Sequence, residues 1–180
     1  MSAFVTSDLH LGHSKILSFD APDGSPLRPF SCLEEMHQTI QDRWNAKVHK
    51  RDNVYVLGDV AFSNTALRLL EGFNGRKVLI AGNHDRLPAK LYLQYFDDIR
   101  GAYFRDGLIF THVPIHPRGI TGHYRGNVHG HLHSHLVHTD DGQVDKRFFN
   151  ACLERNDFSP VPLELIKDFF RNRGESSADF

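Results

Sequence analysis

The apolar positions of the chain follow two periods. Ala3–Thr6, Val54–Leu57 and Lys77–Ala81 are short apolar runs, each bounded by polar or turn residues, and each predicts a strand. Between the first two, Leu33, Met36, Ile40 and Trp44 recur at helical spacing. Ser31 can cap that helix, with Glu34 as its capping-box partner. Ala66–Phe73 reads as a short helix ended by Gly75, and another starts near Pro88 and runs through Phe96. Ile99–Phe104 and Leu108–Thr111 predict strands around the turn Asp106-Gly107. Val128–Leu132, His135–Thr139 and Phe148–Ala151 predict further strands, the last two joined through Asp140-Asp141-Gly142. Pro160 and Pro162 precede a terminal helix near Leu163–Phe170, and the tail from Gly174 is expected to fray. Phe19–Phe30, with three prolines and Gly24, reads as a loop.

Strands that alternate with helices and then become hairpins predict an α/β layered fold with a largely parallel first half. The 180 residues fit one domain. Lys and Arg number 21 against 22 Asp and Glu, so no global basic field exists to hold nucleic acid non-specifically. Cys32 and Cys152 form no disulfide framework. The N-terminus lacks the basic and apolar regions of a signal peptide, and no apolar run nears the roughly 20 residues of a membrane span. A soluble, cytoplasmic protein is the expectation.

The chemistry gathers where predicted strands stop. The apolar runs are followed at once by Ser7-Asp8-Leu9-His10, Gly58-Asp59, Gly82-Asn83-His84-Asp85, Thr111-His112 and His129-Gly130-His131-Leu132-His133. In open α/β sheets, sites form outside the carboxyl ends of the strands. If these ends converge, they deliver carboxylates, an amide and several imidazoles to one place. One Asp can bridge two cations, and mixed N/O donors suit Mn, Fe, Ni, Co or Zn rather than Mg or Ca. Two cations about 3.5–4 Å apart can clamp a phosphoryl group. There are 13 histidines in all, with eight crowded between His112 and His138, more than any such site needs.

All five blocks, in this order over residues 8–133, resemble the calcineurin-like metallophosphoesterase family. Asn150-Ala-Cys-Leu-Glu154 followed by Ser159-Pro-Val-Pro-Leu163 is similar to the end of small bacterial and phage members. The resemblance implies a four-layer α/β/β/α sandwich of two mixed sheets flanked by helices, with a dimetal site at the strand C-terminal ends. It implies that Asp8, His10 and His133 hold one metal, that Asn83, His112 and His131 hold the other, and that Asp59 bridges both. His84 then contacts phosphate oxygen and protonates the leaving alkoxide, and Asp85 orients His84. The implied cofactor is a pair of divalent transition-metal ions, Mn²⁺ first among them.

The reaction so implied is hydrolysis of a phosphodiester, a nucleotide or other small diester, by a metal-bridging hydroxide. Nucleic acid ends are a further substrate, and no membrane is involved. A phosphomonoesterase or protein phosphatase is the alternative, and a non-catalytic metal-binding scaffold ranks third. The family's second block often continues with glycine or a polar residue, whereas Val60-Ala-Phe62-Ser63 follows here. His13 is a candidate for the pocket lining, and His116, Arg118 and His123 for its phosphate border. His129 and His135 share a strand face with His131 and His133 by parity, if the strand runs that far. His37 and His49 read as solvated. Phe169-Phe170 reads as core or as a patch for self-association, and a homo-oligomer is an expectation.

His84→Ala should lower kcat by about 10²–10⁴-fold, the range for a general acid, while metal analysis shows an unchanged content. Near-native turnover would remove His84 from this role.

Overall fold

Strand β1 (Ala3–Thr6) pairs in parallel with β2 (Asn53–Val56), β2 with β3 (Arg76–Ile80), and β3 with β4 (Asp98–Arg100). A two-residue strand β9 (Val161–Pro162) closes the other edge, antiparallel to β1, giving the order β4-β3-β2-β1-β9. A second sheet has the order β5-β6-β7-β8, from β5 (Tyr103–Arg105), β6 (Leu108–Phe110), β7 (Gly126–His129) and β8 (Phe148–Asn150). These elements come from a computed structural model that describes residues 1–172.

Alternation along the strands of the first sheet sorts side chains between two cores. Phe4, Val54, Val56 and Leu79 face one way, against Met36, Ile40 and Trp44 of α1 (Leu33–Lys47) and against Ala66 and Leu67 of α2 (Asn64–Leu67). Val5, Tyr55, Leu57 and Ile80 face the other way, against Leu108, Phe110 and Val128 of the second sheet. Burial on both faces is what a parallel sheet requires. The observed architecture is therefore two mixed sheets flanked by helices. Helix α4 (Leu163–Asn172) wedges Leu163, Ile166 and Phe170 into the core between the sheets. Among the described residues, no helix is long and apolar enough to cross a membrane.

Several elements differ from the sequence pattern. The run Ile99–Phe104 is not one strand, because it breaks at Gly101 and feeds β4 of one sheet and β5 of the other. Val128–Leu132 is truncated, since β7 ends at His129 and the residues beyond it turn. His135–Thr139 forms no strand, only a bridge between His138 and Val144. The stretch Ala66–Phe73 is α2 followed by a 3₁₀ turn over Arg68–Gly72. The helix from Pro88 is confined to α3 (Ala89–Tyr92). The capping pair is shifted by one residue: Ser31 donates from its N–H and hydroxyl to Glu35, and Cys32 holds the N-cap position. Pro162 belongs to an edge strand, where its missing N–H costs no ladder bond. Phe170 is core and Phe169 leans on Phe149, while the tail from Gly174 lies outside the described residues.

Gly126 allows α4 to sit tight on β7, since a Cβ there would lie 2.1 Å from the Phe170 ring. Gly126→Ala should destabilise by about 1–3 kcal/mol through overpacking, read as a lower denaturant midpoint. Adding Phe170→Leu should recover part of it.

Candidate metal centre

Each block begins where a strand ends: Asp8 after β1, Asp59 after β2, Asn83 and His84 after β3, His112 after β6, and His131 and His133 after β7. β1 to β3 run parallel, as do β6 and β7, so each sheet delivers its blocks at one edge. The chain turns hard there. Asp8, His10, Asp59, His131 and His133 have φ of 59°, 51°, 53°, 68° and 50°. A non-glycine residue in this left-handed region costs about 1–2 kcal/mol, and such strain gathers at functional sites.

Main-chain bonds hold the strained loops. The N–H groups of Asp8, His10 and Leu11 donate to the carbonyls of Gly58, Asp59 and Val60 at 2.9–3.0 Å, zipping the first two blocks together. Asp85 clasps the second block to the third. Its Oδ1 accepts from Val60 N–H at 2.9 Å, and its Oδ2 from the N–H groups of Asp59 (2.9 Å) and Gly82 (2.8 Å). Gly130 lets the fifth block reach the first, because a Cβ there would lie 1.9 Å from Ser7 Oγ and 2.5 Å from Asp8 Oδ2.

The two buried aspartates are set differently. Asp8 Oδ2 is saturated: it accepts from His131 N–H at 2.9 Å and lies 2.5 Å from Ser7 Oγ and 3.2 Å from Cys152 Sγ. Burial pushes the Cys152 thiol up, so it stays a neutral donor. Asp8 Oδ1 is buried and has no partner, and neither has His10 Nε2, 3.5 Å away. His133 Nε2 completes that group at 4.0 Å from Asp8 Oδ1. Asp59 is split, with Oδ2 3.6 Å from His10 Nε2 and Oδ1 3.5 Å from His112 Nε2. Around His112 Nε2 stand Asn83 Oδ1 at 2.8 Å and His131 Nδ1 at 3.2 Å.

These residues fit a pair of divalent cations. Two atoms each about 2.1 Å from one cation lie roughly 3.0–3.4 Å apart, close to the spacings seen. Two clusters emerge, Asp8–His10–His133 and Asp8–Asp59–His112, with ligand atoms within 4.8 Å of one another. The tautomers suit them as well. His112 Nδ1 donates to Leu57 O at 2.7 Å and His133 Nδ1 to Glu154 Oε1 at 2.9 Å, so each Nε2 is left as a lone pair. Burial pushes Asp8 up, yet His10, His133 and His112 together hold it well below the usual carboxylate range. For His133, burial pushes down but Glu154 wins and raises it.

Beside this cluster Phe62 lies 37% exposed among imidazoles. Its ring stacks 4.1 Å from His13, 5.1 Å from His84 and 5.3 Å from His10. His13 thus stands beside the cluster, with Nδ1 3.1 Å from His10 Nδ1. His84 is half-buried, and its N–H donates to Asp59 Oδ1 at 2.9 Å. The expected bond from Asp85 to the His84 ring is replaced by the three main-chain bonds described above, so Asp85 shapes the loops instead. His116 and Arg118 are exposed, and the bond between them stays within their own turn, Arg118 N–H to His116 Nδ1 at 3.2 Å. Thus the structure does not bring this pair onto the ligands.

His37 is not simply solvated, because its Nε2 accepts from Gly12 N–H at 3.0 Å beside the first block. His129 turns into the second sheet, where burial lowers it to about 4. The shared strand face of His129, His131, His133 and His135 is not formed, since β7 stops at His129 and His131 and His133 sit in turns. Three contributors escaped the sequence reading. Glu154 orients His133, Asn150 donates to the carbonyls of His133 and His135 at 2.8 Å, and Arg28 is buried beneath the first block. Glu154 and Asn150 lie in the C-terminal motif singled out above, but nothing in that motif pointed inward.

The sequence profile of the calcineurin-like phosphoesterases matches residues 1–177. An uncharacterised protein of Methanocaldococcus jannaschii is 31% identical over 169 residues, covering 91% of this chain and 88% of that protein. The gene 66 protein of Mycobacterium phage L5 is 31% identical over 156 residues, covering 81% of this chain and 68% of the phage protein. Among solved structures, a protein of unknown function from Aquifex aeolicus matches with TM-score 0.67 at 23% identity, covering 93% of this chain and 98% of that one. That likeness is one of fold.

Adding a divalent transition metal to chelator-treated protein should raise Tm, by about 2.7 kcal/mol of stability at a hundredfold excess over Kd. Asp8→Asn should suppress most of that rise in a thermal melt.

Proposed function

The chain belongs to the calcineurin-like phosphoesterase family, and on that premise we propose that it is a metal-dependent phosphodiesterase acting on a nucleotide or another small phosphodiester. The observation that carries the metal dependence is the lopsided Asp8 carboxylate, one oxygen saturated and the other buried without a partner toward His10 and His133. In this reading Asp8, His10 and His133 hold one cation, Asn83, His112 and His131 hold the other, and Asp59 offers one oxygen to each. Mn²⁺ is the first choice, and the donor set also admits Fe, Ni, Co or Zn. Two such ions supply Lewis acidity toward phosphoryl oxygens and lower the pKa of bound water.

The chain's own groups do the rest. His84 stands beside the cluster with its main chain tied to Asp59, so its imidazole can meet a phosphoryl oxygen and give a proton to the leaving oxygen. The Asp85 clasp keeps that loop fixed. Phe62 supports a substrate with a flat group: an exposed ring beside a phosphate site offers stacking to a nucleobase, worth about 1–3 kcal/mol.

In Mn²⁺ buffer, a nucleotide diester should be hydrolysed at least tenfold faster, by kcat/KM, than the matching monoester. The reverse ranking would make the protein a phosphomonoesterase, and hydrolysis of neither in any divalent metal would make it a binding scaffold. Phe62→Ala should raise KM about tenfold for the nucleotide diester and leave KM for glycerophosphocholine, which lacks a ring, unchanged.

A further inference from the structure

Arg28 lies in the Pro-rich segment before α1, and it is fully buried. An arginine is almost never fully buried unless its charge and donors are met. Here they are. Nη1 donates to Leu9 O at 3.0 Å, Nη2 donates to Asp8 O, and Nε donates to Glu154 Oε1 at 2.8 Å. Nη2 also stands 2.7 Å from Glu154 Oε1.

One of these partners, Asp8, belongs to the first metal cluster, and another, Glu154, orients a member of it. Asp8 and Leu9 bracket the left-handed turn that aims the Asp8 carboxylate, and Asp8 has φ 59°. Glu154 is the acceptor for His133 Nδ1 at 2.9 Å, the bond that leaves Nε2 free. One guanidinium therefore joins the backbone of one ligand to the carboxylate that orients another. Its contacts reach Asp8 directly and His133 through Glu154, while His112, Asn83 and His131 bond Leu57 and each other, and the His131 N–H ties back to Asp8 Oδ2.

We propose that Arg28 is a positioning residue chiefly for the first cation, the fork that holds Asp8 and, through Glu154, His133 in ligating geometry; Asp8 stands in both clusters, but His133 stands in the first one. This rests on the dimetal reading above. A lysine cannot replace it, because one ammonium lacks the planar fork needed to reach two carbonyls and a carboxylate at once. Loss of an outer partner of this kind typically costs 10–100-fold in metal affinity.

The test is a calorimetric titration of the chelator-treated full chain with Co²⁺ alone. Wild type should bind two equivalents, and fewer than two would overturn the dimetal reading itself. In Arg28→Lys, one equivalent should weaken by 10–100-fold while the other, which shares Asp8 but not His133, weakens by less than about threefold. Glu154→Gln keeps the size and the acceptor but removes the charge, and it should weaken the same equivalent by about tenfold. Phe73→Leu, a core change remote from the ligands, should bind both ions as wild type does even though its Tm falls, which separates positioning from general loosening. Two wild-type affinities in Glu154→Gln, or equal weakening of both ions in Arg28→Lys, would overturn the proposal. If Arg28→Lys fails to fold, the Glu154→Gln titration decides alone.

Discussion

Two buried carboxylates that face each other are the constraint on which this site depends. Asp8 and Asp59 bring ligand atoms within 4.8 Å. Two full negative charges at that distance repel by about 3 kcal/mol at an effective dielectric near 20. Proteins do not bury such a pair without cations or protons to offset it. Here the surrounding imidazoles hold Asp8 in its charged form, and its outer oxygen is tied by Ser7, His131 and Cys152. What is left over is an inward oxygen and an imidazole nitrogen without partners. A cation is the group that satisfies both.

The fold exists around that charge. Parallel strands place their ends on a common edge, and each end makes a left-handed turn that a free chain would avoid. The strain is held by polar groups bonded to the main chain and to one another: the Asp85 carboxylate on three amides, Asn150 on two carbonyls, and the Arg28–Glu154 pair under the first block. The large aliphatic and aromatic core on both faces of the first sheet supplies the stability against which this strain is held. Beside the ligand cluster, Phe62 stacks its ring on those of His13 and His84.

Much of this was legible in the sequence. Metal-ligand residue types directly after apolar runs mark the strand ends, and the order of the five blocks matches one family, so the family and the two-sheet fold could be read from residues 8–133. Local pattern did not show where strands stop. Val128–Leu132 is continuous in residue type, yet the chain must turn at Gly130 to let His131 reach Asp8, and that requirement is tertiary. Ile99–Phe104 looks like one strand because both halves are apolar, and only the separation of the sheets divides it. Arg28 and Asp85 were misjudged or missed for a shared reason. A lone Arg in a Pro-rich loop and an Asp beside a histidine each have a local explanation, and their actual partners lie far along the chain.

The most direct measurement is a crystal structure of the Mn²⁺-loaded protein with anomalous difference maps. Two peaks about 3.5–4 Å apart, one on each oxygen of Asp59, are the expected result, with His10 and His133 on one ion and His112 on the other. A single peak, or two peaks that leave Asp8 Oδ1 unliganded, would contradict a dinuclear centre built on these carboxylates.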